Sequence, residues 1–128
     1  MMSPQKKAIE LVLDYIQSEL GYSITTQGLP AGGGISAEAQ ASKDNGATLN
    51  RQRQDKTLPL LIMSKHKNQS VAMEQLFNIG NLLAKTTDLP QDDIVQLMSV
   101  SVATDAAPVG KGGDYWIYSM VVDVRIAF

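Results

Sequence analysis

The stretch DYWIYSMVVDVRIAF, residues 114–128, alternates apolar and polar side chains almost without interruption. Trp116, Tyr118, Met120, Val122, Val124, Ile126 and Phe128 share one side, and Ile117, Ser119, Val121, Asp123, Arg125 and Ala127 the other. A period of two predicts a long strand, buried along one face and partly wet on the other. Upstream, IVQLMSVSVAT predicts a second strand with Met98, Val100, Val102 and Thr104 on one face. Between the two, DAAPVGKGG holds Pro108, Gly110, Gly112 and Gly113 and predicts the connection. TLPLLIMSK, residues 57–65, predicts a third strand, Leu58, Leu60, Ile62 and Ser64 facing one way and Pro59, Leu61, Met63 and Lys65 the other. Pro59 lacks an N–H donor and is expected at that strand's start or at a sheet edge.

Two segments switch to helical spacing. Ile9, Val12, Leu13, Ile16 and Leu20 recur every three or four residues, with Leu11 and Tyr15 widening the stripe. Ser3 is the expected N-cap, Pro4 suits the first helical position, and Gly21 is the expected stop, followed by Tyr22. So wide an apolar face predicts a helix that touches a sheet and something else. In VAMEQLFNIGNLLAKT, Ala72, Leu76, Ile79 and Leu83 align, with Asn68 or Ser70 available as the cap. Gly80 in its middle costs about 1 kcal/mol relative to alanine and predicts a close neighbour there. Asp88-Leu89-Pro90 is expected to close this helix.

YSITTQ, after Gly21, predicts a short strand. Residues 28–56 are different: Leu29, Ile35 and Leu49 are their only large apolar side chains. Ile35, Ala37, Ala39 and Ala41 alternate with polar neighbours, and Asn45-Gly46 is a two-residue hairpin signal with TLNRQR as its return. An extended hairpin or flexible arm entered through Gly32-Gly33-Gly34 is expected, with a disordered segment as the alternative. The element order predicts an α+β fold: a two-layer sandwich with two helices packed on a mostly antiparallel sheet of four to five strands. All of residues 1–128 fit one domain, with the arm at 28–56 spliced into it.

Composition narrows the chemistry. The 128 residues contain no cysteine and one histidine, so thiolate chemistry, disulfides and multi-histidine metal sites are excluded by count. Eleven basic against thirteen acidic residues leave a formal net charge of −2, with no global drive toward DNA or anionic lipid. Glu10 and Asp14 interrupt the first apolar stretch, and no run approaches the ~18 apolar residues of a membrane span. The expectation is a protein that works in the cytoplasm, or in something assembled there, and not in a membrane.

No motif for catalysis emerges. His66 lies between Lys65 and Lys67 with no acidic neighbour in sequence to orient it. The two lysines read as a solvated strand end able to meet phosphate. Gly32-Gly33-Gly34 and Gly110-Lys111-Gly112-Gly113 lack the spacing and the following helix of a phosphate loop, and read as turns. Gln91-Asp92-Asp93 reads as a cap or turn. Asp105 and Asp114 flank one connection and could converge only through the fold. The expectation is a protein that is not an enzyme, with no catalytic, cofactor or metal residues. RQRQDK, residues 51–56, is the one basic, glutamine-rich segment, either a solvated turn or a contact surface for carboxylate or phosphate.

The order of features also carries a likeness. A helix ending in glycine is followed by a long polar middle. Then come LPLLIMSKHKNQSVAMEQLFNIGNLL, residues 58–83, and the closing pair VQLMSVSVATDAAPVGKGGDYWIYSMVVDVRIAF, residues 95–128. Together these resemble the small bacteriophage minor capsid proteins related to tail terminators and tail-completion proteins. Pro108 through Tyr118 corresponds to the loop and tyrosine-rich strand of that group, and residues 28–56 correspond to nothing in it. The resemblance implies helices on a mixed or antiparallel sheet, and subunits closing into a ring, commonly of six. Such a ring caps the finished tail tube and meets the head connector. It implies a virion protein assembled in the host cytoplasm, partnered by copies of itself, the tail tube protein and head connector proteins, with DNA near the lumen and no cofactor. Arg51, Arg53 and Lys56 are then the expected subunit-contact or lumen-lining residues. Three alternatives stand beside it: a head-completion or neck subunit of the same particle, a small adaptor or ligand-binding domain using an open sheet face, and an enzyme with scattered acids.

Overall fold

The computed structural model describes residues 3–40, 43–47, 54–86, 89, 91 and 95–128. Helix α1 (Pro4–Leu20) leads through strand β1 (Ile24–Thr25) to β2 (Gly34–Ala39) and β3 (Lys43–Ala47). Strand β4 (Gln54–His66), helix α2 (Gln69–Lys85) and strands β5 (Gln96–Gly112) and β6 (Tyr115–Ala127) complete the chain. The strands lie side by side in the order β1-β2-β4-β6-β5, and β3 follows β2 along the same side of β4. Every pairing is antiparallel except that of β1 with β2. Two helices packed on this sheet make the α+β two-layer fold that the pattern of the sequence predicts.

Local chemistry sets the helix ends as expected. Ser3 Oγ accepts the Lys6 N–H at 3.2 Å, and Gly21, at φ 72°, donates its N–H to Gln17 O at 2.9 Å. In α2 the cap is Asn68, whose Oδ1 accepts the Ser70 N–H at 3.0 Å. That helix ends at Lys85, with Thr86 as its C-cap; Asp88 and Pro90 lie outside the described residues. Ala72, Leu76, Ile79 and Leu83 are buried, the four that their spacing selects. They meet Leu58, Leu60 and Ile62 of β4, and Tyr118, Met120, Val122, Val124 and Ile126 of β6, in one core. Each such side chain, fully buried, contributes about 1.5–3 kcal/mol. The width of α1 is used inside the chain: Tyr15 Oη meets Thr86 Oγ1 at 3.0 Å, joining the two helices, and Ile9, Leu11 and Leu20 pack on the core's rim.

Four sequence expectations change. First, Asn45-Gly46 is not the turn of the hairpin. It lies within β3, where the pairing register with β4 slips between Asp44 and Gly46. The partner of the arm is β4 itself, from Lys65 opposite Gly34 to Gln54 opposite Ala47. TLNRQR, residues 48–53, joins β3 to β4 and lies outside the described residues. A glycine in a strand serves a bulge as readily as a turn.

Second, Pro59 sits inside a central strand, between β2–β3 on one side and β6 on the other. Its carbonyl accepts the Gln40 N–H at 2.8 Å, so its backbone groups face the β2–β3 side. There β2 has ended at Ala39 and β3 begins only at Lys43, so the missing donor falls at a break in the neighbouring strand.

Third, DAAPVGKGG is not a loop. β5 continues to Gly112 and turns at Gly113-Asp114. Pro108 and Gly110 are tolerated because β5 is an edge strand, and because its register against β6 shifts at four places, one of them between those two residues. Fourth, these shifts break the predicted face of β5: Leu97 is buried and Met98 is exposed. Among the described residues no helix is long and apolar enough to cross a membrane.

Candidate functional site

Of the residues singled out for subunit or lumen contact, Arg51 and Arg53 lie in the β3–β4 connection, outside the described residues. Lys56 is half-buried on β4, between Asp44 and Ile126 in register. Beside it, on the opposite face of the strand, Asp55 is buried and takes Arg125 in a two-pronged ion pair, with Nη2 2.6 Å from Oδ2 and Nε 3.1 Å from Oδ1. The hydrogen bond and then the charge of Asp55 raise the Arg125 guanidinium above its ordinary pKa, with burial opposing slightly. This end of the sheet is therefore a held ionic corner.

At the other end of the sheet, about 40 Å away along β4, register brings together residues that sequence spacing keeps apart. His66 of β4 lies opposite Trp116 of β6, and Trp116 lies opposite Lys111 of β5. Lys65 Nζ stands 4.9 Å and Lys67 Nζ 5.6 Å from the Tyr115 ring centre, and Lys111 Nζ stands 5.3 Å from Trp116. Each cation–ring contact contributes about 0.5–1 kcal/mol at an exposed site and holds a long side chain in place. His66 Nδ1 accepts the Asn68 N–H at 2.9 Å, which orients the ring as part of the helix entry. Gly33, at φ 93°, seals the corner: a Cβ there would lie 2.9 Å from Lys65 O and 3.4 Å from Tyr115 Cε1. The register sets the two contacts on opposite faces of the sheet: Lys65 pairs with Ile117 on the face of Tyr115, and Lys111 pairs with Trp116 on the face that the helices cover.

The acidic candidates do not converge. Asp105 is exposed in mid-β5 and Asp114 sits at the hairpin turn, separated by more than about 20 Å of strand. Asp92 and Asp93 lie outside the described residues. Among the described residues no group of three or more His, Asp or Glu is placed to hold a metal ion. Between α2 and β5 runs a groove of about 150 Å³, lined by Phe77, Gly80, Val102, Ala106 and Met120, with Asn81 and Asp105 polar. Such a groove falls below the ~300–1,000 Å³ of ordinary small-molecule sites. Gly80 leaves Val102 Cγ2 and Met120 Sδ at 3.6 and 3.9 Å from where its Cβ would stand, an ordinary contact distance.

The sheet's margins complete the surface. β5 spans 17 residues, mostly exposed, and among the described residues no strand pairs with its outer side. Its only charged side chains are Asp105 and Lys111. On the opposite margin β1 covers only Ile35 and Ser36 of β2. No protein-family model and no curated protein matches this sequence.

Proposed function

We propose that this protein is a structural subunit that assembles with copies of itself, forming a ring that terminates a phage or prophage tail tube and joins it to the head. The observation that supports assembly is the long outer edge of β5. Such an edge presents a row of backbone donors and acceptors and is a template for pairing with another strand. Its shifts and Pro108 limit that pairing to part of its length. Among the described residues, most of the margin along β2 and β3, on the opposite side of the sheet, is also unpaired, β1 covering only Ile35 and Ser36. Two different surfaces on opposite sides suit head-to-tail contact, which closes into a ring when the rotation allows it. The tail-terminator assignment within this reading rests on the resemblance of residues 58–83 and 95–128. The arm of β2, β3 and the β3–β4 connection, with Arg51, Arg53 and Lys56, then faces the neighbouring subunit or the lumen.

Native mass measurement and negative-stain imaging test the reading. Closed rings with a central opening are expected at high concentration. Lysine at the exposed positions Ala103 and Ala107 of β5 should leave the circular dichroism of the subunit intact and abolish the rings. A protein that stays monomeric at hundreds of micromolar and on isolated tail tubes would overturn the proposal.

A further inference from the structure

We infer that the face of the sheet turned away from the helices is a self-association surface, on which a second copy seats the same face about a twofold axis. Both helices pack on the opposite face, in one core with Leu60 and Ile62 of β4 and Met120 and Val122 of β6. On the far face Leu61 of β4 lies opposite Val121 of β6, Met63 lies opposite Ser119 in the next row, and Lys65 lies opposite Ile117 in the row after that. Leu61, Met63, Ile117 and Val121 are outside that core, and each is partly exposed. One apolar side chain on a surface is ordinary, but four in contiguous rows of two inner strands form a patch of the kind that marks a contact.

The charges around the patch select a second copy as its occupant. At one end Lys65 and Lys67 stand 4.9 and 5.6 Å from the Tyr115 ring. At the other end Glu38 of β2 lies beside Leu61, and Asp123 of β6 lies opposite Pro59 one row further on. Among the described residues none of these four charges is in an ion pair, whereas Arg125, in the row beyond, is already matched to Asp55. A twofold axis across the strands, through the row of Met63 and Ser119, turns one copy end for end. It sets Ile117 on Val121 of the other copy, Lys65 over Leu61 with its ammonium beside Glu38, and Lys67 with Tyr115 over Asp123. Sheets packed face to face stand about 10 Å apart, a gap that lysine and methionine side chains bridge. Four strands over this length present about 500–700 Å² per copy, the low end of what a specific dimer needs.

This contact goes beyond the ring and does not rest on it: the ring uses the margins of the sheet, and the twofold contact uses its face. Sedimentation velocity over a concentration series, with imaging of the same samples, measures the two separately. A monomer–dimer equilibrium with a Kd of about 10–100 μM is expected from an interface of this size. V121D, its fold checked by circular dichroism, should weaken the dimer at least about tenfold. E38K and K65E should each weaken it at least about threefold. The E38K/K65E double variant should return to within about twofold of the parent, because each copy then carries both reversed charges. The chain has no cysteine, and Ser119 lies on the proposed axis, so S119C should be joined to a second copy by a short bismaleimide. N81C, exposed on α2, should not. A monomer over the whole range, a folded V121D that associates like the parent, a double variant no better than either single one, or equal cross-linking of S119C and N81C would each overturn the inference. Dimers without rings would remove the ring and leave this face standing; rings that V121D forms as readily as the parent would do the reverse.

Discussion

Arg125 reaches diagonally across the β4–β6 pair to Asp55, one guanidinium nitrogen 2.6 Å from Oδ2 and another 3.1 Å from Oδ1. In register, Arg125 stands opposite Thr57, and Asp55 stands opposite Ala127. Arg125 is half exposed, at 49%, while Asp55 is buried, so the pair closes the strand ends where β3 also meets β4. Its two-pronged geometry gives specificity that a single charge contact lacks. Arg125→Ala and Asp55→Asn should each lower the urea midpoint, and the double variant should lose less than the sum of the two. Arg125→Lys should behave like the alanine variant, because an ammonium cannot reproduce the fork.

The same pair predicts a pH response. Asp55 raises the guanidinium pKa in the folded state. A group raised on folding contributes stability that is complete below its unfolded value and is lost only as pH rises through the folded one. Both lie far above neutrality for arginine. The coupling between Arg125 and Asp55 should therefore be the same at neutral pH and at about pH 10. A coupling that declines over that interval would mean the pair is not ionic as drawn.

Gly33 is constrained twice, by a positive φ of 93° and by Lys65 O at 2.9 Å from any added Cβ. Gly21 has a positive φ of 72° and open space around it. Alanine at Gly21 should cost about 1 kcal/mol, the conformational share alone. Alanine at Gly33 should cost at least about 2 kcal/mol, because β2 must also retreat from β4. It should also loosen Tyr115, seen as faster ring flipping or greater quenching of tyrosine emission. Equal costs at the two glycines would show that the close approach to Lys65 carries no energy.

These positions also mark how far the sequence could be read. The faces of β4 and β6 and the four buried residues of α2 were legible because apolar periodicity records burial directly. The run through Pro108 and Gly110 reads as a loop because composition reports local preference. An edge strand needs only one side paired, and its bulges absorb what a central strand would reject. Asn45-Gly46 carries a genuine turn preference, but β4 extends back to Gln54 and keeps its partner paired past that point. The meeting of Lys65 and Lys67 with Tyr115 was illegible for a different reason. It is created by register between strands distant in the chain, and spacing along one segment says nothing about that. The expected subunit contacts Arg51 and Arg53 lie outside the described residues.

Ser64 is fully buried on β4 and donates its hydroxyl to Ala72 O at 2.7 Å, tying the central strand to the first turns of α2. Ser64→Ala keeps the shape and removes the bond, and should cost about 1 kcal/mol in reversible unfolding. Amides at the start of α2 should exchange faster, while those of α1 stay unchanged. Uniform loss of protection would indicate that the bond has no local role.

The two faces of β6 differ enough for one pair of variants to test the whole layer arrangement. Val122 is completely buried beneath the helices, opposite Leu60 on β4. Its neighbour Val121 lies on the other face, half-buried and opposite Leu61. Aspartate at Val122 places a carboxylate in the core without a cation to meet it, a penalty of more than about 4 kcal/mol, and the variant should fail to fold. Aspartate at Val121, which is already partly exposed, can reach water and should fold with a loss of about 1–2 kcal/mol. Circular dichroism and a thermal melt of both variants decide it. A folded Val122→Asp protein, or an unfolded Val121→Asp one, would place the helices on the wrong side of the sheet.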